Sequence, residues 1–368
     1  GLGDVYKRQT QGSLSYTYQR AGVELSGVHW PAYVYGRTGL ARASDGLFFH
    51  SGMSAIGALL HSIQSLGWQQ IEISKGAYYE VNMLCDQFFP GLRMRFTQDD
   101  RDGDPDVAWL DAWANERPDA SLGGFRPKLL VGDTSAVEPD GALLDEWFAT
   151  SASLGVPLVL VRSHLKLDTF GLEMGKLGSL VVVAPDGDAR TIEPLMSELR
   201  DALCYLGLGF EVANLYPWLG QAEFLELTAA RTAAIRRRTD VLVAALEAAR
   251  RDDDPFEIIR THHRLFVRIA TPVTSPDGAD ARGLELLRSL SAACAHEGIP
   301  AVIGSSFGLD QFTFRHYIDE HDDRLHLRIA GADVPEGHAE ALGRCVRDVM
   351  VDVLAGVPER AVALTTGR

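Results

Sequence analysis

The chain of 368 residues is long enough for two domains of unequal size and a large core, so its fold need not depend on disulfides or a structural metal. Its net charge of −15 and pI near 5.2 argue against a nucleic-acid or anionic-membrane partner, because phosphates attract Lys and Arg. It has no apolar run of about 18 residues that would predict a membrane span, and its four scattered cysteines, without a CxxC pair, are typical of a reducing compartment.

The first elements alternate between helix and strand. Gly1–Gln9 shows neither a helical nor a strand period of apolar residues. It resembles a translated sequencing-adaptor remnant, so we expect a non-native tail there. The expected helices are Ser54–Leu66, Ala142–Leu154 and Leu195–Leu206, and the expected strands are Ile71–Ile73, Lys128–Val131, Leu158–Val161 and Ser179–Val183. This order predicts an α/β fold with a mainly parallel, doubly wound sheet.

A long helix and a junction follow this sheet. Gln221–Arg250 is rich in Ala, Leu, Glu and Arg, which predicts a helix, and the acidic run Asp252–Asp254 before Pro255 indicates a domain junction. Beyond it, the expected elements are the strands Leu265–Ile269, Ala301–Gly304 and Leu325–Ile329 and the helices Gly283–His296 and Glu336–Leu354. We therefore expect a large domain at 10–250, with an N-terminal arm and a linker helix, and a smaller α+β domain at 251–368.

Three segments carry polar residues at positions suited to chemistry. The first is Ser51–Ile56 (SGMSAI), which opens a helix after the apolar run Leu47–Phe49. Small residues at a helix start let backbone N–H groups approach a phosphate, and the helix dipole favours an anion there. The alternative interpretation is a tight turn without a ligand.

The second segment is Leu129–Thr134, which places Asp133 at the C-terminal end of the predicted strand Lys128–Val131. Open α/β sheets bind ligands at this edge, so the carboxylate is a candidate partner for a protonated ring nitrogen of a cofactor. The alternative is a helix N-cap or turn Asp.

The third segment is a Ser-x-x-Lys at the end of a predicted strand, formed by Ser163 and Lys166. A lysine among apolar neighbours loses hydration, which makes its amine nucleophilic and suited to a Schiff base with an aldehyde. Ser163 and Lys176 are candidate phosphate ligands, and a solvated surface lysine is the alternative. The glycines of the following loop are Gly171, Gly175 and Gly178.

Taken in chain order, these segments resemble the fold-type-I pyridoxal 5′-phosphate (PLP) enzymes. Lys166 follows Asp133 by 33 residues, with one helix and one strand between them, as in the aminotransferase branch. The SGMSAI segment is similar to the SGMxAI of the branch that serves cysteine and methionine metabolism. The resemblance extends over roughly residues 30–350.

The resemblance implies a role for each matching residue. Lys166 would form the Schiff base and act as general base and acid at the substrate Cα, while Asp133 would keep the pyridinium nitrogen protonated and the ring an electron sink. Arg328 would bind the substrate carboxylate, because a planar guanidinium binds a carboxylate better than an ammonium does. The alternative is a surface arginine at a strand edge. The implied phosphate ligands are Ser51, Gly52, Met53, Ser163 and Lys176.

The motifs leave open which aromatic residue stacks on the cofactor and which branch of the PLP enzymes the chain resembles more. Tyr78 stands where the family stacks a ring on the cofactor, with Tyr79 as its rival and a core aromatic as the alternative. Tyr35 and Arg37 resemble a Tyr-x-Arg pair that reaches the phosphate of a neighbouring subunit, but they stand too close to the helix start for that branch. An Asp-Asn-Thr run of the SGMxAI branch is absent, and Lys176 is displaced by two residues from the arginine of the aminotransferase branch.

We therefore predict a PLP-dependent transferase or lyase acting on an amino acid, with an aminotransferase as the leading hypothesis. The alternative is a β/γ-elimination or replacement lyase of the cysteine and methionine type, and a further one is a non-catalytic α/β ligand-binding or regulatory protein. The resemblance implies a homodimer. We expect a cytoplasmic location, no nucleic-acid or membrane partner and no metal.

Overall fold

The structure is a computed structural model of the chain. It describes residues 13–16, 23–26, 34–35, 44–73, 77–96, 103–111, 125–138, 141–169, 176–210, 216, 218–219, 221–261, 263–273, 276–304, 309–319 and 324–355. The chain divides into two units, Gly1–Ala229 and Ala230–Arg368.

The first unit contains nine strands and four α-helices among its described residues. The strands are β1 (Ser13–Tyr16), β2 (Val23–Ser26), β3 (Ser44–Phe49), β4 (Gln70–Ile73), β5 (Arg93–Phe96), β6 (Val107–Asp111), β7 (Leu129–Asp133), β8 (Leu158–Ser163) and β9 (Gly178–Val183). The helices are α1 (Gly52–Ser65), α2 (Tyr79–Phe88), α3 (Ala142–Leu154) and α4 (Glu193–Tyr205). β1 and β2 form a separate antiparallel pair.

The main sheet of this unit has the strand order β3-β9-β8-β7-β6-β4-β5. Neighbours from β8 to β5 pair in parallel, whereas β9 is antiparallel to both β3 and β8. The carboxyl ends of β6, β7 and β8 therefore lie along one edge, which is where the site residues of these strands are found. The sequence-based prediction of a mainly parallel α/β sheet is confirmed.

The central strands are apolar along nearly their whole length because helices cover both faces of a parallel sheet. β6, β7 and β9 are buried at every position, and α1 packs on α4 and on the β8–β9 side of the sheet. The core of the unit includes Ile56, Leu59 and Ile63 from α1. This packing fixes the position of the α1 N-terminus.

The second unit is an antiparallel sheet backed by helices. Its elements, together with the helix that enters it, are α5 (Ala222–Ala249), β10 (Glu257–Arg260), β11 (Phe266–Pro272), α6 (Pro276–Glu297), β12 (Ala301–Ile303), β13 (Phe312–Asp319), β14 (Arg324–Ala330) and α7 (Glu336–Leu354). The strand order is β10-β11-β14-β13-β12, and only the β12–β13 pair is parallel. The side chains of its core include Ile269, Leu327 and Leu342.

Several elements lie where the sequence pattern predicts none. α2, β5 and β6 fall between residues 77 and 111, and β10 and β13 are further additions. β5 has alternating arginines, and β13 alternates apolar with polar residues, so neither shows the continuous apolar run of the predicted strands. None of the helices in the described part of the chain is long and apolar enough to cross a membrane.

Candidate active site

The carboxyl ends of three neighbouring strands place polar side chains on one edge of the main sheet. Asp111 ends β6, Asp133 ends β7 and Ser163 ends β8. Asp111 lies opposite Asp133 in the parallel register, and both carboxyl groups are buried. Ligands of open α/β sheets bind at this edge.

The N-terminus of α1 lies against the same edge. Ser51 caps the helix, and its hydroxyl accepts a hydrogen bond of 3.1 Å from the Ser54 backbone N–H. A Cβ added to Gly52 would lie 2.8 Å from the Ser163 Cβ, and one added to Gly178 would lie 2.3 Å from the Ser51 carbonyl carbon. The glycines thus allow the helix start to lie directly on the β8–β9 hairpin, where its free N–H groups favour an anion.

Asp133 is joined to the end of β8 through Ser135. The Ser135 backbone N–H donates to the Asp133 carboxylate at 2.8 Å, and the Ser163 N–H donates to the Ser135 hydroxyl at 2.9 Å. Burial raises the pKa of Asp133, and the Ser135 hydrogen bonds and the charge of Arg162 only partly offset this effect. A cationic group placed against this carboxyl would stabilise its ionised form.

Lys166 lies in the turn that follows β8, immediately before a 3₁₀ turn at Leu167–Thr169. The residue is partly buried, and the Thr169 hydroxyl donates to the Leu165 carbonyl at 2.8 Å, which closes the turn. The predicted loop glycines Gly171 and Gly175 lie outside the described residues.

A buried ionic cluster anchors this turn on both sides of Lys166. The Arg162 guanidinium donates two hydrogen bonds of 2.7 Å to the Asp168 carboxylate and further ones to the carbonyls of Thr134, at 2.5 Å, and Val137, at 2.9 Å. Arg162 therefore connects the turn after Asp133 with the turn after Lys166.

His164 completes the cluster. Its Nδ1 lies 2.6 Å from the Asp168 carboxylate, and its Nε2 lies 2.8 Å from the hydroxyl of Ser179, the second residue of β9. Burial lowers the pKa of His164 despite the attraction of Asp168, so the neutral ring donates from Nδ1 and accepts from Ser179. Burial alone would raise the pKa of Asp168, but the Arg162 charge and the hydrogen bonds of Arg162 and His164 hold it well below its usual value.

The remaining predicted cofactor residues lie in the same unit. Met53 is partly buried against the core, and Tyr78, also partly buried, precedes α2 and donates its backbone N–H to Asp111 at 2.8 Å. Lys176 is exposed, two residues before β9. The side chain of Tyr79 lies outside the described part of the structure.

Tyr35 is buried next to the strand end that carries Asp133. Its hydroxyl lies 2.9 Å from the Thr134 hydroxyl, and burial raises its pKa to about 12. Arg37 lies outside the described residues.

Sequence reasoning missed Asp111 and the roles of Arg162 and Asp168. A signal existed for Arg162, because a charged residue inside the otherwise apolar strand LVLVRS must be paired when the strand is buried. Asp111 had no such signal, since the strand that it ends was not predicted.

Arg328 belongs to the second unit, in the middle of β14. Its neighbours across the sheet are Arg268 on β11 and Arg315 on β13. The guanidinium carbon of Arg328 lies 5.1 Å from the ring centroid of Phe266.

No protein-family model and no curated protein sequence matches the chain. Solved structures do match it. Cystathionine gamma synthase from Xanthomonas oryzae pv. oryzae, in complex with cystathionine, has 16% identity and a TM-score of 0.57 over 93% of this chain and 89% of that chain. MetB from Corynebacterium glutamicum has 15% identity and a TM-score of 0.60, with 91% of this chain and 87% of that chain covered.

A third solved structure has the same architecture. CalE6, a methionine gamma lyase from Micromonospora echinospora, has 18% identity and a TM-score of 0.54 over 84% of this chain and 83% of that chain. The expected fold is confirmed by these likenesses: the chain has the fold of the fold-type-I PLP-dependent transferases, an α/β sheet unit followed by a smaller unit.

Proposed function

We propose that the protein is a PLP-dependent enzyme that acts on an amino acid and binds its cofactor through Lys166. The observation that carries this proposal is the carboxyl edge of the sheet. This edge has the α1 N-terminus, the buried Asp133 carboxyl and the turn that contains Lys166. The helix start suits the phosphate of PLP, and the Asp133 carboxyl suits its protonated ring nitrogen. The Lys166 amine suits its aldehyde.

Each residue has a distinct task in this proposal. The α1 N-terminus with Ser51, Gly52 and Met53 binds the phosphate, together with Ser163 and Lys176. Asp133 holds a proton on the ring nitrogen, and Tyr78 packs on the ring. When bound, PLP supplies a ring that accepts the electron pair of a substrate Cα bond.

The substrate is handled by two basic side chains. Arg328 binds the amino-acid carboxylate through its planar guanidinium. The Lys166 amine removes the proton at the substrate Cα and returns it at the end of the reaction. The buried Arg162–Asp168 pair holds the backbone on either side of Lys166 in place, which would keep the lysine in position for the cofactor.

We propose elimination or replacement at the β or γ carbon as the reaction class. Solved structures that share the fold include a gamma synthase and a gamma lyase, and SGMSAI is similar to the SGMxAI of the branch that serves cysteine and methionine metabolism. Both facts support the lyase alternative of the sequence analysis better than its leading hypothesis, an aminotransferase.

The cofactor proposal is tested by the absorbance of protein purified in the presence of PLP. We expect the absorbance band of PLP bound through a lysine, and we expect borohydride reduction to remove this band and to leave the cofactor permanently attached to Lys166. Lys166→Ala removes the band, and Lys128→Ala, at an exposed lysine, keeps it. Wild-type protein that never takes up PLP would overturn the proposal.

The reaction class is tested by incubation of the loaded protein with amino acids that carry a leaving group at the β or γ carbon. Elimination releases ammonia and a keto acid, and replacement transfers the amino-acid backbone to an added thiol. Accumulation of pyridoxamine phosphate without ammonia would instead identify an aminotransferase.

The assembly and location are proposed on the same basis. We propose a homodimer, as the resemblance to this fold type implies, and a cytoplasmic location, which the four free cysteines support. Light scattering is expected to give about twice the chain mass of 40.2 kDa, and a single-chain mass would contradict the dimer.

A further inference from the structure

His164 lies two residues before Lys166, and both nitrogens of its ring make hydrogen bonds to other side chains. The Nδ1 atom lies 2.6 Å from the Asp168 carboxylate, and the Nε2 atom lies 2.8 Å from the Ser179 hydroxyl. The ring and the hydroxyl are fully buried, and the centroid of the Phe48 ring lies 5.9 Å from that of the imidazole. Because water has no access to these atoms, loss of one partner leaves the other unpaired.

Ser179 belongs to the strand on which the start of α1 lies. It follows Gly178, the residue whose missing side chain lets the Ser51 backbone pack on β9. The backbone of β9 pairs with β8, and Gly178 is opposite Ser163 in that register. The Ser179 hydroxyl is therefore one residue away from the contact that fixes the proposed phosphate site.

Asp168 belongs to the turn that contains Lys166. Its carboxylate accepts hydrogen bonds from Arg162, and its backbone carbonyl accepts one of 3.1 Å from the Trp218 indole N–H. Both the side chain and the backbone of Asp168 are thus held in place. The imidazole of His164 connects this residue to β9, and a planar ring with a bond at each nitrogen allows little variation in the distance that it spans.

We propose that His164 is a positioning residue for the cofactor site, whose ring holds the Lys166 turn at a fixed distance from the α1 N-terminus. Asp168 attaches the ring to the turn, and Ser179 attaches it to β9. This inference rests on the proposed function, in which the helix start binds the phosphate of PLP and Lys166 binds its aldehyde. Both groups belong to one small molecule, so the affinity for PLP depends on the spacing between the two parts of the site.

The test compares PLP with two fragments that each carry one of these groups, pyridoxal and inorganic phosphate, on protein prepared without cofactor. Calorimetric titration measures the binding of phosphate, and the absorbance of the lysine-bound ring measures the binding of pyridoxal and PLP. A ligand that carries both groups binds more tightly than either fragment, by a factor that depends on how well the spacing is held.

His164→Asn keeps a donor near Asp168 but loses the acceptor for the Ser179 hydroxyl. We expect this variant to bind PLP about 10- to 100-fold more weakly than the wild type does, because misplacement of one group reduces the benefit of joining the two. The affinities for pyridoxal and for phosphate should stay nearly unchanged. A local defect in one part of the site would instead weaken the fragment that binds there as strongly as PLP.

Two further variants and a control complete the comparison. Ser179→Ala removes the other partner of the same hydrogen bond and is expected to give a similar loss. The double variant His164→Asn/Ser179→Ala should bind PLP no more weakly than the single variants, since both changes remove one interaction. Ser151→Ala is the matched control, because this buried hydroxyl donates to the Val156 carbonyl at 2.6 Å, at the end of α3. Its loss should leave the PLP affinity unchanged.

Circular dichroism verifies that the variants are folded, and the outcomes separate this inference from the proposed function. The same advantage of PLP over its fragments in wild type, His164→Asn and Ser179→Ala would overturn the inference and leave the PLP proposal intact. An equal loss of PLP and of one fragment would also overturn it, as a sign of local damage. Wild-type protein that forms no lysine-bound band with PLP or pyridoxal would overturn the proposed function and this inference together.

Discussion

At the scale of single residues, the candidate site depends on two positions that have room only for glycine. Gly52 faces the Ser163 side chain, and Gly178 faces the Ser51 backbone. Both contacts join the helix start to the β8–β9 hairpin, so the proposed anion site depends on the absence of two side chains. Gly52 was identified from the sequence as part of a helix start, but its contact with Ser163 required the structure.

Gly178→Ala is expected to destabilise the protein by about 1–3 kcal/mol and to weaken PLP binding, because the new Cβ meets backbone atoms of Ser51 that cannot turn aside. Urea unfolding and titration with PLP measure the two effects. Gly57→Ala is the control: the added Cβ meets only Leu84, at 4.0 Å, and the helix gains up to about 1 kcal/mol. Equal behaviour of the two variants would contradict the close packing.

At the scale of elements, the β8–β9 hairpin and its turn carry most of the chemistry. The strand β8 ends in Ser163, its turn contains Lys166, and Arg162 within the strand binds Asp168 after the lysine. The sequence predicts the strands and the position of the lysine from local apolar patterns. The charge of Arg162 next to an apolar run is a signal that this residue needs a partner, but the spacing alone does not identify Asp168 as that partner.

Removal of Arg162 is expected to be costly. Arg162→Met leaves the Asp168 carboxylate and two carbonyls buried without their donor, which corresponds to a loss of about 3–5 kcal/mol in the free energy of unfolding. The double variant Arg162→Met/Asp168→Leu is expected to recover part of this loss. Arg190→Met, at an exposed pair with Asp188, should keep the wild-type urea midpoint. An unchanged midpoint in Arg162→Met would refute a stabilising role for the cluster.

The lowered pKa of His164 predicts the sign of the pH dependence of stability. Its pKa in the folded protein is lowered by burial, so the unfolded chain takes up a proton first, and stability is lost as the pH falls below the ordinary histidine value of about 6.5. Asp168 acts in the same direction at lower pH: its depressed pKa contributes stability above about pH 4 that is lost on further acidification. Asp133 acts in the opposite direction, because its pKa is raised.

A variant of His164 separates the contribution of this histidine from those of Asp168 and Asp133. The difference in unfolding free energy between wild type and His164→Asn should be largest at pH 8 and should shrink as the pH falls through about 6.5, as urea midpoints measured from pH 8 to pH 5 will show. Ser179→Ala removes a partner of the same ring but keeps the ring itself, so its offset from wild type should stay nearly constant. A constant offset in His164→Asn would show that burial does not lower the pKa of the ring, and an offset that grows as the pH falls would show that the ring is charged in the folded protein.

At the scale of the whole molecule, the predicted cofactor residues all belong to the first unit, and Arg328 belongs to the second. PLP should therefore stabilise the two units unequally. The residues at the sheet edge and the helix start are expected to gain the most protection from bound phosphate and ring, since a ligand stabilises the state that binds it.

Hydrogen exchange with and without PLP measures this difference. We expect slower exchange at 50–60, 129–138 and 158–182, and little change at 257–273 and 324–330. The Lys166→Ala variant is the control, because loss of the bond to the cofactor should reduce the protection. Protection confined to the second unit would contradict the assignment of the cofactor site.

The sequence by itself determined the α/β fold class, the helix start at Ser51, the strand that precedes Lys166 and the fold type, because helix and strand periods and the order of the motifs are properties of the chain. The tertiary structure decided which distant residues meet. The contact of Gly178 with Ser51, the pair of Arg162 with Asp168 and the alignment of Arg328 with Arg268 and Arg315 depend on the order and register of the strands. Long-range pairing of this kind leaves no local pattern in the sequence.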